Sequence, residues 1–261
     1  MQTNAVLKLW REGKPAIGTW ATICDHTKFM RLLATAGMDF VIIEMEHSDF
    51  TLKGVCAQAM LARALGLVPI VRPPGHGHHD LTRPLDSGAQ GLLLPAIDTP
   101  EQLEGIMQAV KYHPRGERIL NSRGAHTDFE KLASTADQIA HINAETATIA
   151  MVESQRALDM LSEIVKVPGL DAVMIGPDDL SQNLGVPGEM KHPKMAAARE
   201  RVIEVCDGAG MPWGFSCQSV ADGEQWLERG MRWLPYANDA AVMFNAFSEA
   251  AGALKKSAGR A

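Results

Sequence analysis

Short apolar runs alternate with helix-like stretches along the whole chain. Eight runs have the character of buried strands, and they lie at residues 16–20, 39–43, 68–72, 90–94, 148–152, 171–175, 211–215 and 231–236. Most of these runs are continuously apolar and do not alternate, which is typical of parallel strands buried on both faces. Helical patterns fill the intervals, such as residues 57–64, which end just before Gly66.

Eight strands separated by helices predict an α/β fold of the (β/α)8 type, a TIM barrel, that occupies residues 1–261 as one domain. The length of 261 residues agrees, because such barrels need roughly 250 residues. An open doubly wound sheet is the main alternative. It is disfavoured because no Gly-x-Gly-x-x-Gly turn follows the first strand and nothing indicates a second domain.

Two segments stand outside the alternation. The interval between the fourth and fifth strands is longer than the others, and its polar stretch 112–128 is interpreted as a lid, a subunit contact or a plain surface excursion. The final segment, about 238–257, has apolar residues at helical spacing. It predicts an amphipathic helix that packs on its own barrel or is exchanged with a neighbouring subunit.

Composition excludes several classes of partner. The net charge is -6, so no basic surface is expected to bind nucleic acid or an anionic membrane. Residues 1–30 lack a signal-peptide pattern, and no apolar run approaches the roughly 18 residues of a membrane span. The four cysteines form no CxxC pair, which disfavours disulfides and fits a reducing compartment. We therefore expect a cytoplasmic protein.

Ionisable residues follow several of the predicted strands. In a (β/α)8 barrel these positions line the active-site mouth. In this chain they are Glu44, Glu46 and His47 after strand two, Arg72 at the end of strand three, Glu153 after strand five, and Asp178 and Asp179 after strand six. The sequence therefore predicts a polar catalytic site at one end of the barrel. The histidine-rich loop 76–79 is better interpreted as a solvated turn than as a metal site, and its role stays open.

Glu153 and Asp179 are the candidate metal ligands. Each follows an apolar strand, and Mg²⁺ and Mn²⁺ need only one or two protein carboxylates because they keep several waters. The vacant positions would suit a bidentate ligand such as a 2-oxo acid. The alternative is that the carboxylates cap the following helices, for which Asp178 is the better candidate.

Three further residues carry candidate chemistry. The guanidinium of Arg72 would stabilise negative charge on an enolate oxygen, or would simply pair with Glu44 or Glu46. His47 is a candidate general base, with a structural histidine as the alternative. Asp86 lies late in the helix before strand four, near enough in chain order to reach His47.

Five segments, in this order and spacing, resemble the HpcH/HpaI aldolase family of metal-dependent pyruvate aldolases. They are residues 37–47 (GMDFVIIEMEH), 71–73 (VRP), 85–90 (LDSGAQ), 151–154 (MVES) and 175–181 (IGPDDLS). The resemblance implies a (β/α)8 barrel, usually a homohexamer whose subunits exchange C-terminal helices. It implies an aldehyde-lyase that reversibly cleaves a 4-hydroxy-2-oxo acid, such as a 2-keto-3-deoxy sugar acid, to pyruvate or a close analogue plus an aldehyde, through a metal-stabilised enolate.

The resemblance also implies how substrate and metal would bind. Glu153 and Asp179 would hold a divalent cation, Mg²⁺, Mn²⁺ or Co²⁺, which the carboxylate and keto oxygen of pyruvate would chelate. Backbone amides of the loop Gly176-Pro177-Asp178 would help to hold the carboxylate. Trp20 matches an aromatic position at the end of strand one and is a substrate-binding candidate.

The catalytic residues implied by the resemblance are Arg72, His47 and Asp86. Arg72 would contact the keto or enolate oxygen, and His47, paired with Asp86, would move the proton through a metal-bound water. The partners implied are a small 2-oxo acid and an aldehyde.

The chain departs from the family pattern at four places. This chain has Glu44 where members commonly have Asp, and Met151 where many have Gln. The family's Arg-Gly pair is replaced by Arg118-Ile119, and residues 235–239 lack the usual Gly-Ser-Asp. These differences leave open the substrate, the pathway and the neighbour contacts. Related enolate chemistry with another electrophile, as in citrate-forming or decarboxylating relatives, and a non-catalytic keto-acid-binding barrel are the alternative functions.

Overall fold

The computed structural model describes residues 2–130 and 134–260, and a closed barrel of parallel strands forms its centre. The strands are β1 (Ala16–Ala21), β2 (Phe40–Glu44), β3 (Val68–Arg72), β4 (Gly91–Leu94), β5 (Ala147–Val152), β6 (Ala172–Ile175), β7 (Trp213–Gly214) and β8 (Trp233–Asn238). They follow one another in chain order, and β8 pairs with β1 to close the barrel. The predicted (β/α)8 fold is confirmed.

Helices surround the barrel. They are α1 (Ala5–Arg11), α2 (Thr27–Thr35), α3 (Leu52–Ala64), α4 (His78–Asp86), α5 (Pro100–Val110), α6 (Thr135–Glu145), α7 (Gln155–Ile164), α8 (Pro177–Asn183), α9 (Pro193–Ala209), α10 (Val220–Glu228) and α11 (Asp239–Ser257), with a 3₁₀ turn at Ala125–Thr127. Side chains of Thr51, Thr99 and Ser154 accept hydrogen bonds from the first turns of α3, α5 and α7, which fixes where these helices begin. Within the described ranges, no helix has the length and apolar character needed to cross a membrane.

Alternate residues of the strands serve two apolar cores. Phe40 and Ile42 belong to the core inside the barrel, whereas Val41 and Ile43 pack under the surrounding helices. This double burial explains why β2 is apolar at successive positions. Inside the barrel, Phe40 stacks on Trp233 with ring centroids 3.7 Å apart.

Helix α1 closes the N-terminal end of the barrel. The Asn4 side chain caps α1 and donates to the carbonyl of Gln90 at 2.9 Å, and the Trp10 indole donates to the carbonyl of Arg232 at 2.8 Å. The large cavity lies at the opposite end, where the strands finish. The closed end therefore stabilises the scaffold on which a site can be built.

The polar stretch 112–128 also packs at the N-terminal end. Its Arg118 side chain is buried, with its guanidinium 4.7 Å from the Tyr112 ring centre and Nη2 2.5 Å from Asp86 Oδ1. Its 3₁₀ turn contacts α3 and α4. The interpretation as a lid over the strand ends of the same chain is therefore wrong, because the segment lies at the other end of the barrel. A subunit contact stays a prediction.

Helix α11 forms as predicted, but its apolar side chains do not pack on its own barrel. Phe244, Phe247 and Leu254 are 69, 71 and 70% exposed. Only the start of the helix is anchored, through the buried residue Asp239. The alternative in which the apolar residues of α11 pack on their own barrel is therefore wrong. Exchange of the helix with a neighbouring subunit stays a prediction.

Candidate active site

A cavity of about 680 Å³ opens at the C-terminal ends of the strands. Eight of the nine residues predicted for the site line it: Trp20, His47, Arg72, Glu153, Gly176, Pro177, Asp178 and Asp179. They come from the ends of five strands, so the barrel brings together groups that lie far apart in sequence. The ninth, Asp86, is not on the cavity wall.

Glu153 is a half-buried carboxylate that directly follows β5. Its Oε2 accepts a hydrogen bond of 2.7 Å from the backbone N–H of Ala96. Burial raises the pKa of Glu153, and the nearby charge of Asp179 raises it further, against the lowering effects of the Ala96 bond and of Arg72. The folded chain therefore places negative charge where that charge is poorly stabilised.

Gly176 leaves room for the Glu153 side chain. A Cβ at position 176 would lie 2.3 Å from Glu153 Oε1, a distance that a real side chain could not adopt. Any larger residue would displace the carboxylate. The absence of a side chain at this position is therefore part of how β5 and β6 bring Glu153 and Asp179 to the same wall.

The pair Glu153 and Asp179 suits a hard divalent cation. A bound cation would offset the charge whose burial raises the pKa of Glu153. Among the described residues, no group of three or more His, Cys, Asp or Glu side chains is arranged to hold a metal. Two carboxylates with coordination positions left for water or substrate match the way Mg²⁺ binds, not a closed structural zinc site.

Arg72 is fixed by Glu44 while facing the cavity. Its Nε and Nη2 each lie 2.5 Å from Glu44 Oε2, and Nε is 3.4 Å from Glu46 Oε2. The guanidinium carbon lies 4.9 Å from the centre of the Trp20 ring, whose indole donates to Ser216 Oγ at 2.9 Å. The sequence left open an ion pair or a substrate contact, and this geometry provides the ion pair and allows the contact.

Glu44 is an organising residue that its sequence position only hinted at. Its Oε1 accepts hydrogen bonds from the backbone N–H groups of Glu46 at 2.6 Å and His47 at 3.0 Å. The buried Glu44 carboxylate thus ties the turn that carries His47 to the guanidinium of Arg72. An acidic residue immediately after a buried strand was the available signal.

His47 and Asp86 lie at opposite ends of the barrel within one chain. The His47 side chain is 65% exposed, and its Nε2 is 3.8 Å from Glu46 Oε2. Asp86 is the last residue of α4, a helix that runs from the end of β3 back to the start of β4. Proximity in chain order therefore did not bring Asp86 to His47, because α4 carries it to the N-terminal end, where it pairs with Arg118.

The loop predicted to hold a carboxylate offers fewer amides than expected. The N–H of Gly176 donates to the carbonyl of Val152 at 3.1 Å, and Pro177 has no N–H. Of the three residues in this loop, Asp178 alone remains as a backbone donor. Its N–H lies in the first turn of α8, where a helix supplies no internal partner.

Several cavity residues were missed by sequence analysis. The polar and charged ones are Thr22, Lys191, Arg199, Ser216, Gln218, Asp222 and Asn238. Thr22, Ser216 and Asn238 lie at or just after the ends of β1, β7 and β8, so the strand-end rule would have found them. Lys191 and Arg199 come from the α8–α9 connection and α9, where sequence gave no signal.

Asp239 fixes one side of the cavity. It accepts hydrogen bonds from the backbone N–H groups of Thr22, Ile23 and Cys24 and from the Thr22 hydroxyl. Burial alone would raise its pKa, but these bonds outweigh burial and the pKa of Asp239 is lowered. The charged carboxylate therefore joins the end of β8 to the β1–α2 loop.

The histidine-rich loop has a structural contact. His76 Nε2 lies 2.7 Å from the carbonyl oxygen of Pro95, and its Nδ1 lies 3.1 Å from Gln102 Nε2. His78 and His79 instead begin α4. Through His76, this loop links the β3–α4 connection to the connection that follows β4. This structural role describes the loop better than a metal site does.

Comparison with known proteins agrees with this geometry. The profile of the HpcH/HpaI aldolase/citrate lyase family matches residues 17–246. The chain is 31% identical over 248 residues to 2-keto-3-deoxy-L-rhamnonate aldolase of Escherichia coli O17:K52:H18 (strain UMN026 / ExPEC), covering 95% of this chain and 91% of the relative.

Solved structures show the same architecture. An HpcH/HpaI aldolase from Desulfitobacterium hafniense DCB-2 superposes with a TM-score of 0.91 at 30% identity, covering 95% of both chains. The citrate synthase SbnG has a TM-score of 0.88 at 24% identity, covering 97% of this chain and 98% of that one, which shows a shared fold alone. The chain belongs to the HpcH/HpaI aldolase/citrate lyase family, which confirms the family and the enzyme class predicted from its sequence.

Proposed function

We propose that this protein is a divalent-metal-dependent aldolase that reversibly cleaves a 4-hydroxy-2-oxo acid to pyruvate, or a close analogue, and an aldehyde. The observation that supports this proposal most directly is that Glu153, Asp179 and Arg72 line the same cavity. The rhamnonate relatives support 2-keto-3-deoxy sugar acids as the substrate class. Citrate-forming chemistry is the weaker candidate, because its support is a shared fold alone.

Glu153 and Asp179 would hold the cation, with Mg²⁺, Mn²⁺ and Co²⁺ as the candidates. When bound, it would supply positive charge next to the carboxylate and oxo group of the substrate. The chain adds the backbone N–H of Asp178 as a donor toward the substrate carboxylate. Trp20 forms the wall beside Arg72 and limits where the substrate can lie.

Arg72 and His47 would carry the bond-breaking step. As the bond between C3 and C4 breaks, the C4 hydroxyl loses its proton and becomes the aldehyde carbonyl. The electron pair passes to the C2 oxygen of the enolate, to which Arg72 donates, while His47 accepts the proton. Return of a proton to C3 gives pyruvate. The Glu44 carboxylate accepts hydrogen bonds from the Arg72 side chain and from the backbone N–H of His47, and so fixes the positions of both residues relative to each other.

Pairing of His47 with Asp86 would require two copies of the chain. Each residue lies at a different end of one barrel, so only the Asp86 of a neighbouring subunit could approach His47. The exposed apolar residues of α11 and Ile119, which is 76% exposed, support a homo-oligomer, with a hexamer as the proposed state. Light scattering should give a mass of six chains, and a monomer at micromolar concentration would contradict this assembly.

Three measurements test the proposed activity. Pyruvate release from 4-hydroxy-2-oxo acids should stop after chelation and return with Mg²⁺, Mn²⁺ or Co²⁺. The protein should also exchange pyruvate methyl protons with deuterated water, a reaction that needs no aldehyde. Full turnover after rigorous chelation would contradict the metal, and borohydride trapping of a lysine adduct would indicate Schiff-base chemistry in its place.

A further inference from the structure

The connection between β4 and α5, residues 95–99, supports the Glu153 carboxylate. Glu153 Oε2 accepts a hydrogen bond of 2.7 Å from the backbone N–H of Ala96 in this connection. The other oxygen, Oε1, lies against Gly176, which directly precedes the helix that carries Asp179. The bond from Ala96 therefore helps to decide which way the carboxylate faces.

Ala96 donates this bond from an unusual backbone conformation. Its φ is 47°, in the left-handed region that residues with a Cβ rarely adopt. Such a conformation persists only where surrounding contacts hold it, and it is found most often at residues that support a functional site. The contacts that hold Ala96 are therefore part of how Glu153 is oriented.

Gln102, in the first turn of α5, makes two of these contacts. Its Nε2 donates to the carbonyl oxygen of Ala96 at 3.0 Å, and its Oε1 accepts from the backbone N–H of Asp98 at 2.9 Å. Its own backbone N–H donates to Thr99 Oγ1 at 3.2 Å, which fixes Gln102 at the start of the helix. One side-chain amide thus holds the connection on both sides of Ile97.

His76 and Ser154 support the same connection from two other elements. His76 Nε2 lies 2.7 Å from the carbonyl oxygen of Pro95, and because a carbonyl only accepts, Nε2 carries the proton. In the neutral ring, Nδ1 then accepts from Gln102 Nε2 at 3.1 Å. Ser154 Oγ donates to Asp98 Oδ1 at 2.5 Å. The connection is therefore tied to the loop before α4, to α5 and to the end of β5.

We propose that Gln102 is a positioning residue for the metal site, because it holds Ala96 in the conformation that fixes the Glu153 carboxylate. A carboxylate held in one orientation binds a cation more tightly than a free one, since binding does not then have to order it. His76 contributes by fixing the orientation of the Gln102 amide. The inference rests on the metal site of the proposed function and adds a residue of α5 to it.

Mn²⁺ binding, measured by electron paramagnetic resonance, tests this role in Gln102→Met, whose side chain has a similar length but no amide. Its Kd for Mn²⁺ should rise about tenfold to a hundredfold, the usual effect of removing a group that supports a metal ligand. Gln138→Met is the matched control, because the Gln138 amide donates to the carbonyl of Ser122 at 2.8 Å at the closed end. This variant loses the same kind of bond and should bind Mn²⁺ as the parent does.

Changes at Ala96 separate positioning from a general loss of folding. Glycine adopts a positive φ without strain, so Ala96→Gly in the Gln102→Met background should recover part of the lost affinity. Ala96→Val, which keeps Gln102 but disfavours a positive φ, should raise the Kd by itself. In Gln102→Met, more Mn²⁺ should be needed for half-maximal exchange of pyruvate methyl protons. The rate at saturating Mn²⁺ should stay close to that of the parent, because Gln102 acts only through the metal ligand.

Failure of this inference is distinguishable from failure of the proposed function. If the parent binds Mn²⁺ and Gln102→Met or Ala96→Val binds it with the parental Kd, the positioning role is overturned and the metal site stands. A loss in Gln102→Met that Ala96→Gly leaves unrecovered would also overturn it, because the effect would not pass through Ala96. A parent that does not bind Mn²⁺ would remove the metal site itself, and the inference with it.

Discussion

The two ends of this barrel both collect charged residues but treat them differently. At the N-terminal end, Arg118 lies 2.5 Å from Asp86, and Arg63 lies 2.7 Å from Asp128. At the C-terminal end, burial and then the charge of Asp179 raise the pKa of Glu153 beside an open cavity. The closed end pairs these charges, whereas the open end also brings two carboxylates, Glu153 and Asp179, close to each other.

The difference separates charges that stabilise the fold from charges available for chemistry. Buried carboxylates that are not neutralised cost stability, so a site that keeps them is expected to bind a compensating partner. Arg72 is intermediate, because Glu44 fixes it while one side faces the cavity. Whether a charged side chain is paired or unpaired is therefore a second guide to function, in addition to whether it lies at the end of a strand.

Glu153→Gln should give the largest functional effect. Loss of a metal ligand should abolish pyruvate release, while the metal-free protein should melt at the same or a higher temperature because an unfavourable buried charge is gone. Activity assays and thermal melts provide the measurement. Glu163→Gln, at an exposed ion pair with Lys166, is the control and should keep its activity. Near-parental turnover in Glu153→Gln would remove this residue from the metal site.

His47→Ala should reduce cleavage by about a hundredfold to ten-thousandfold, the usual range for a general base. Pyruvate should still bind, since Asp178 and the cation do not depend on the imidazole. Proton exchange into pyruvate, followed by NMR, isolates the step. Exchange at the parental rate would assign the proton transfer to another group and leave His47 with a structural role.

Arg72→Lys should lower kcat by about a hundredfold, or roughly 3 kcal/mol in activation free energy, as does the loss of one preorganised oxyanion donor. Lysine keeps the charge but loses the planar donors that contact Glu44 and the substrate together. Arg201→Lys is the matched control. Activity within a few-fold of the parent would show that Arg72 serves only as the partner of Glu44.

Lys111→Met tests the closed end and should change stability without changing chemistry. Burial lowers the pKa of Lys111 to about 8, opposed by Asp171, while its Nζ donates to the carbonyl of Thr146 at 2.6 Å. The unfolded lysine has a pKa of about 10.4, so between these values the unfolded chain holds a proton that the folded chain lacks. The free energy of unfolding should therefore rise with pH across this window, by at most about 1.4 kcal/mol per pH unit.

That rise should be present in the parent and in Lys166→Met, whose lysine is exposed, but absent in Lys111→Met. Urea unfolding between pH 7.5 and 10 measures it. Identical slopes in all three proteins would mean that Lys111 stays protonated throughout. Pyruvate release at pH 7.5 should be the same in the three proteins, because Lys111 lies at the closed end.

The fold was predictable because its signal is local and repeated. Each strand is an apolar run between helical patterns, and the strands follow one another around the barrel in chain order. The strand predicted at 211–215 is shorter in the structure, where β7 has two residues, Trp213 and Gly214, in the regular sheet. The position of segment 112–128 could not be predicted, since its place depends on contacts of Tyr112 and Arg118 with distant residues.

The part of the site at the ends of β3 and β5 and after β6 was predictable, and the part formed by the α8–α9 connection and α9 was not. Arg72 ends β3, Glu153 directly follows β5 and Asp179 lies in the first turn of the helix after β6, so the barrel geometry fixes where they meet. Arg199 lies on a helix, where sequence gives no indication that it reaches the cavity. Asp86 shows the opposite error, because closeness in sequence does not overcome the direction of the helix that carries it.

Mn²⁺ binding measured by electron paramagnetic resonance tests the central contrast most directly. The parent should bind one Mn²⁺ per chain, and both Glu153→Gln and Asp179→Asn should lose that binding while remaining folded. Asp128→Asn, which alters a paired carboxylate at the closed end, should bind Mn²⁺ as the parent does. Parental binding in Glu153→Gln and Asp179→Asn would contradict the assignment of the open end as the metal site.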